Sequence, residues 1–466
     1  MTAELLTRPA TELAALVKAR RVSPVELVGA VLARIDGVDG RLNSMVTVDA
    51  EGAMRAARAA EAGLGADDLP PFHGVPTAIK DLHMTAGIRT TFATASRASF
   101  VPAHDEHNVA QLRRAGFLIV GKTNTCEFGT VPYTEPALFG AARNPWAPDH
   151  SPGGSSGGAA AAVAGGILPV AHASDGGGSI RIPASACGLV GLKPARGRIS
   201  AAPMGEPPGG LGTTGTITRY VRDTAALLDV MQGYVPGDPH WAPPPAEPFA
   251  LAADRDPAPL KVGLATTSSL HTFDAEAIRI AEDAAAVLEK LGHRVEPFAM
   301  PVTERLSAAF GTLWTARLTA VVRDPDTIEP YNRVMYERAT QLTAHRLVEA
   351  LHRAHAEARR IVTAAAAFDV VLSPTLTRPP ARIGEFAERS PQEAYEAAMQ
   401  YVGFTPVANV TGLPAISVPT GVSTDGLPMG AMLMGRPADE VTLLAVAGQL
   451  ERAFDWISRR PPDPTT

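Results

Sequence analysis

Two glycine runs carrying hydroxyls stand close together in the chain: S-P-G-G-S-S-G-G (Ser151–Gly158) and S-D-G-G-G-S (Ser174–Ser179). Backbone rich in glycine can turn several N–H groups toward one point, which suits a developing oxyanion. A serine beside such a loop becomes a nucleophile once a neighbouring base takes its proton. Flexible Gly–Ser linkers are not interrupted by apolar, structure-forming sequence. Here Ala159–Ala164 and Ile167–Ala171 separate the runs, so both read as built loops.

A lysine can serve such a serine only when neutral, and burial is what lowers its pKa. A second serine between the two can donate and accept, and so carry the proton. Three rival patterns are weaker. Gly116-Phe-Leu-Ile-Val-Gly121-Lys122-Thr123 fits the phosphate-cradling G-x-x-x-x-G-K-T, but its middle residues are large, apolar and strand-like. Gly153-Gly154-Ser155-Ser156-Gly157 fits the nucleophile elbow, yet loop sequence (Pro148–Pro152) precedes it instead of a strand. His104 with His107, and His352 with His355, lack the spacing of a zinc site, and no metal is expected.

The run G-G-S-S-G-G, followed by S-D-G-G-G-S-I-R-I-P-A and C-G-L-V-G-L-K-P, resembles the amidase signature family of Ser–Ser–Lys hydrolases. The match reaches upstream to G-V-P-T-A-I-K-D (Gly74–Asp81). Downstream it takes in F-D-V-V-L-S-P-T (Phe368–Thr375) and N-V-T-G-L-P-A-I-S-V-P (Asn409–Pro419), so it spans nearly the whole chain. The resemblance implies Ser179 as nucleophile, Ser155 as bridging hydroxyl and Lys80 as base, with a cis peptide at Gly154–Ser155. It implies an oxyanion hole from the N–H groups of Gly176, Gly177, Gly178 and Ser179. Ser156, Asp175 and Arg181 would hold these residues in place, and the backbone of Gly129 would face substrate. The plain alternatives are surface ion pairs, Lys80 with Asp81 and Asp175 with Arg181.

The family more often has Thr or Ile where Gly176 stands. The S-D-G-G-G-S form is similar to the branch with nylon-oligomer, aryl-acylamide and carbamate (urethane) hydrolases. The missing side chain at Gly176 is expected to leave room for bulky acyl or carbamoyl groups. The activity implied is hydrolysis of a small-molecule amide, anilide, carbamate or ester through an acyl-enzyme, with no cofactor. One alternative is a glutamine amidotransferase subunit working with partner chains, but Ile182 stands where those subunits commonly show Gln. Another is a binding protein that keeps the fold without catalysis, and retention of all three reactive residues counts against it.

The elements that must position these residues alternate between helix and strand. Ser23-Pro24-Val25-Glu26 is a capping box opening a helix to about residue 36, and residues 50–63 form another. Strands are expected at Phe72–Ile79, Phe117–Val120, Ile167–Ala171, Lys261–Ala265, His293–Phe298, Val370–Leu372 and Ala415–Val418. Helices are expected at Asn108–Ala115, Ala159–Ala164, the later part of Thr218–Gln232, Asp274–Leu291 and most of 305–366. Residues 235–260 are Pro-rich and read as a surface connection. The fold class is α/β: one large domain over 1–466, its mixed β-sheet covered by helices on both faces. The catalytic core is expected at about 65–225, with 261–466 completing the same fold. Pocket loops are expected at 125–139, at 200–216 and in the helical region from Trp314 to Tyr336.

Composition narrows the partners. The chain has 466 residues, a net charge of −6 and 5% aromatics, and no basic run, which argues against a nucleic-acid binder. Two cysteines make no disulfide framework in a chain of this size, and Cys187 sits among apolar neighbours as an inert thiol. The start lacks the pattern of a signal peptide, and no apolar stretch approaches a membrane span, so a cytoplasmic setting is expected.

Overall fold

The computed structural model describes residues 2–462. Its strands are β1 (Met45–Val48), β2 (Pro76–Lys80), β3 (Leu118–Thr123), β4 (Val170–Asp175), β5 (Val190–Lys193) and β6 (Thr213–Thr218). They continue with β7 (Lys261–Leu264), β8 (Arg294–Pro297), β9 (Val370–Pro374), β10 (Ala415–Val422) and β11 (Pro428–Gly435). They form two sheets where the sequence suggested one. The larger runs β4–β6–β5–β10–β11–β9–β7–β8, antiparallel up to β9 and parallel from β9 to β8. The smaller runs β1–β3–β2, with β2 parallel to β3. The two meet where β2 lies beside β4, and Thr77 Oγ1 donates to the Val170 carbonyl at 3.1 Å.

Side chains alternate across a strand, and both faces of the larger sheet are covered. Ala431 and Leu433 of β11 share a core with Ile416, Val418, Val370 and Leu372, under the helices Ala275–Lys290 and Glu440–Phe454. Their neighbours Met432, Met434, Ala415 and Val371 face the other way. They pack with Phe310, Leu313 and Ile361 from the helices Glu304–Ala316 and Ala344–Ala365. This gives a single large α/β domain with helices on both faces. Among the described residues no helix is long and apolar enough to cross a membrane.

The local signals at the N-terminal side work as written. The Ser23 side chain caps the helix Pro24–Leu42 and Glu26 reaches back to the Ser23 N–H. Two expectations shift. The strand expected at Ile167–Ala171 begins at Val170 and runs to Asp175, because Gly166 turns the chain at φ +69° and Pro169 has no N–H for a ladder. The Pro-rich connection ends in a docked helix, Phe249–Ala253. Its first N–H groups bond to Asp229, and Phe249 is fully buried.

The G-x-x-x-x-G-K-T look-alike is the strand β3 itself. Gly121 is there for close approach: a Cβ at this position would stand 2.0 Å from the Thr47 carbonyl oxygen of β1. Lys122 points inward to Thr90 Oγ1 at 2.7 Å and to the His83 carbonyl. Gly121→Ala should therefore cost roughly 1–3 kcal/mol or more in denaturant unfolding by overpacking. ATP with Mg²⁺ should leave the melting temperature unchanged. A nucleotide-dependent rise in Tm would restore the phosphate-loop reading.

Candidate active site

The residues expected to react lie where β2 and β4 end, at the carboxyl ends of strands in an α/β sheet. Lys80 is the last residue of β2 and has no solvent exposure. Its Nζ lies 2.7 Å from Ser155 Oγ and 3.3 Å from the Ser174 carbonyl oxygen. Asp81 is not its partner. That carboxylate accepts the Thr91 N–H at 3.1 Å and pairs with Lys122 at 3.8 Å, all of it buried. The surface pair Lys80–Asp81 is thereby ruled out. Burial drives the Lys80 pKa down to about 7. Cys126 and Asp175 pull it up and Arg317 pushes it further down. An amine at such a value is substantially neutral at physiological pH.

Ser155 follows a cis Gly154–Ser155 peptide and leads into the helix Gly157–Ala164, a fully buried segment of small residues packed between the sheets. Ser156 Oγ donates to the Ser174 carbonyl at 3.2 Å, so one carbonyl receives both Lys80 and Ser156. Ser179 closes the second glycine run. It lines the same cavity as Ser155, and its Oγ has no hydrogen-bond partner among the described residues, Ser155 included.

Between β4 and Ser179 the chain is braced by a buried ion pair. Arg181 Nε and Nη2 donate to Asp175 Oδ2 and Oδ1, each at 2.9 Å, and both side chains are fully buried. Asn409 Nδ2 adds a third donor at 2.9 Å, and Arg181 Nη1 reaches the Thr405 carbonyl at 2.8 Å. Burial alone would raise the Asp175 carboxyl. The Arg181 charge and the hydrogen bonds outweigh it and hold it well below the usual carboxylate range. The surface-pair alternative is wrong for these two residues as well.

The brace shortens the expected oxyanion donor set. Gly178 N–H already donates to Asp175 Oδ1 at 2.7 Å, and Ile180 N–H to Oδ2 at 3.1 Å. The N–H groups of Gly176, Gly177 and Ser179 have no protein acceptor among the described residues. The expectation of extra room at Gly176 is overturned. A Cβ there would stand 2.8 Å from the Trp314 ring, so tryptophan from the helix Glu304–Ala316 fills the vacated space. Trp314 is held by its Nε1–H on the Thr130 carbonyl at 3.1 Å and by stacking on Phe310. Gly129 sits at φ +68°, and a Cβ on it would come 3.1 Å from Ser155 Oγ.

The cavity measures about 400 Å³, within the range of small-molecule sites. Its walls come from Phe128 and Gly129, from the 199–214 segment, and from Trp314 to Val321, close to the loops expected from the sequence. Cys126, buried nearby, has its thiol pushed up by burial to about 11, which leaves it unreactive. Three contributors were missed in the sequence. His83 and Glu106 line the cavity as a bonded pair, Nδ1 to Oε2 at 2.6 Å, and no spacing signal marks them. Asn409 does have a signal, since it opens the N-V-T-G-L-P stretch.

A family model described as "Amidase" matches residues 26–444. The 6-aminohexanoate-cyclic-dimer hydrolase of Paenarthrobacter ureafaciens is 37% identical, covering 98% of this chain and 97% of its own. A solved structure of 6-aminohexanoate cyclic dimer hydrolase superposes with a TM-score of 0.92 at 36% identity, covering 98% of this chain and 99% of its own. A bacterial aryl acylamidase structure superposes with a TM-score of 0.88 at 27% identity, covering 98% and 100%.

Arg181→Met should strand the Asp175 carboxylate in the interior. Removing one partner of a buried ion pair costs about 3–5 kcal/mol. Chemical denaturation should show that loss. A change below about 1 kcal/mol would mean that the pair does not brace the loop.

Proposed function

This chain belongs to the amidase family and is a hydrolase of amide C–N bonds, and on that premise we propose that Ser179 is its nucleophile, with Ser155 and Lys80 taking up the proton. The observation that carries this reading is the 2.7 Å contact between Ser155 Oγ and a fully buried Lys80 Nζ that has no carboxylate bonded to it. Ser179 Oγ attacks the amide carbonyl carbon. Its proton passes to Ser155 Oγ while the Ser155 proton passes to neutral Nζ. The oxyanion collects the free N–H groups of Gly176, Gly177 and Ser179. Collapse breaks the C–N bond, and the relay returns the proton to the leaving amine. Water then attacks the Ser179 ester by the same path, freeing the acid.

The substrate class that fits is a small-molecule amide with an aryl or alkyl body, seated against Phe128, Trp314 and the 199–214 segment. Carbamates and esters follow the same acyl chemistry. The amidotransferase alternative is disfavoured at Ile182, which lines an apolar recess beside Ser179 and offers no hydrogen bond to a glutamine.

A fluorophosphonate should label Ser179, as read by peptide mass. Ser179→Ala should abolish the label and lower kcat by about six orders of magnitude. Ser155→Ala should still label, but slowly. A label on Ser155 would hand the reaction to the elbow reading.

The pH profile follows from the sign of the Lys80 shift. Below its pKa of about 7 the amine is protonated and inert, so kcat/KM for a p-nitroanilide should rise with pH through about 7 and level off above. Lys80→Arg should be no better than Lys80→Met, because a guanidinium keeps its proton. Near wild-type turnover in Lys80→Arg would remove Lys80 from the role of base.

A further inference from the structure

One cation in the cavity wall has no counter-charge among the described residues. The carboxylates that line the cavity are all engaged: Asp175 by Arg181, Glu106 by His83 and the Met84 N–H, and Glu206 by His240 at 2.8 Å. Arg317 lines the same cavity from just beyond the helix Glu304–Ala316. Its Nη1 donates to the Phe128 carbonyl at 3.1 Å, and its guanidinium lies 3.9 Å over the Trp314 ring. Its Nε and Nη2 are buried and meet no acceptor among the described residues. The ionisable groups that bear on it are Cys126 and Tyr331, neither of them a carboxylate. Burial lowers it only to about 10, so it stays a cation.

Arg181 shows what that edge of a guanidinium takes. Its own Nε and Nη2 hold the two oxygens of Asp175 at 2.9 Å each. In Arg317 the same fork meets no acceptor among the described residues. A buried donor pair without partners is costly, and a planar carboxylate satisfies both donors at once. The side chain is held by one hydrogen bond and one ring contact, and docking requires its open edge to turn to the cavity.

We propose that Arg317 is a carboxylate-binding site for substrate: the chain prefers amides that carry a free carboxylate, docked bidentately on Nε and Nη2. The proposal rests on the amide-hydrolase reading above. It makes Arg317 a determinant of substrate choice, while the bond-breaking steps stay with the residues around Ser179.

The test uses two series, each an acid against its methyl ester. One is the p-nitroanilide monoamides of succinic, glutaric and adipic acid, with the carboxylate on the acyl side. The other is hexanoyl amides of ω-amino acids, with the carboxylate on the amine side. The readout is the acid-to-ester ratio of kcat/KM, in wild type, Arg317→Gln and Arg317→Lys. Wild type should favour the acid by about ten-fold or more in at least one series, as expected of hydrogen bonds to a charged group. Arg317→Gln should bring that ratio near one, and Arg317→Lys should keep part of it, which also covers a Gln variant that folds poorly. Ratios near one in both series for wild type, or an unchanged ratio in Arg317→Gln and Arg317→Lys, would overturn the proposal. Hexanoyl p-nitroanilide separates the two readings. If wild type does not cleave it or any acid or ester, the amide-hydrolase reading itself fails.

Discussion

A lysine kept out of water and bonded to no carboxylate among the described residues is the constraint that the rest of the site answers to. Nζ of Lys80 meets a hydroxyl and a carbonyl oxygen, groups that tolerate a neutral amine. Asp175 is the carboxylate that acts on it, and both Asp175 and the adjacent Asp81 are claimed by another cation. Asp81 is turned to Thr91 and Lys122, and Asp175 is locked to Arg181. Had Asp175 been free to bond Nζ, the ammonium would have been favoured. Lys122 shows the contrast. It is as deeply buried but sits 3.8 Å from Asp81, and burial lowers it only to about 8.

The same ion pair that diverts Asp175 shapes the backbone around Ser179. A carboxylate accepting from Gly178, Ile180, Arg181 and Asn409 has little freedom left, so the turn it anchors is fixed before substrate arrives. Preorganised donors act without reorganising at the moment of reaction, which is where their strength lies. The brace also spans the chain, because Asn409 and Thr405 come from the far end of the sequence and tie the helix before β10 to the glycine run. Loop, base and sheet are therefore one mechanical unit.

Much of this was legible in the sequence, for reasons that differ by residue. Lys80, Ser155 and Ser179 stand in long ordered stretches whose residue types have few other uses together. The Ser23 capping box is a local signal acting over one turn. Gly121 could be kept out of a phosphate loop because the apolar residues before it read as strand. What escaped was set by distant chain. Gly176 looked like open space, yet Trp314 occupies it. Gly178 looked like an oxyanion donor, yet its N–H faces the Asp175 carboxylate. The division into two sheets depends on which edges pair, and no strand pattern carries that. That Nε and Nη2 of Arg317 meet no acceptor among the described residues is something only the folded chain displays.

The central claim is that Lys80 is neutral near physiological pH, and it can be observed directly. The chain has six lysines, Lys18, Lys80, Lys122, Lys193, Lys261 and Lys290, so selective ¹³Cε-lysine labelling gives a spectrum that single variants can assign. The resonance that vanishes in Lys80→Met should titrate with a midpoint near 7, while those of exposed lysines stay in their ammonium form until about pH 10. A Lys80 signal that keeps its ammonium shift up to about pH 10 would contradict the account, because a protonated Lys80 cannot take a proton from Ser155.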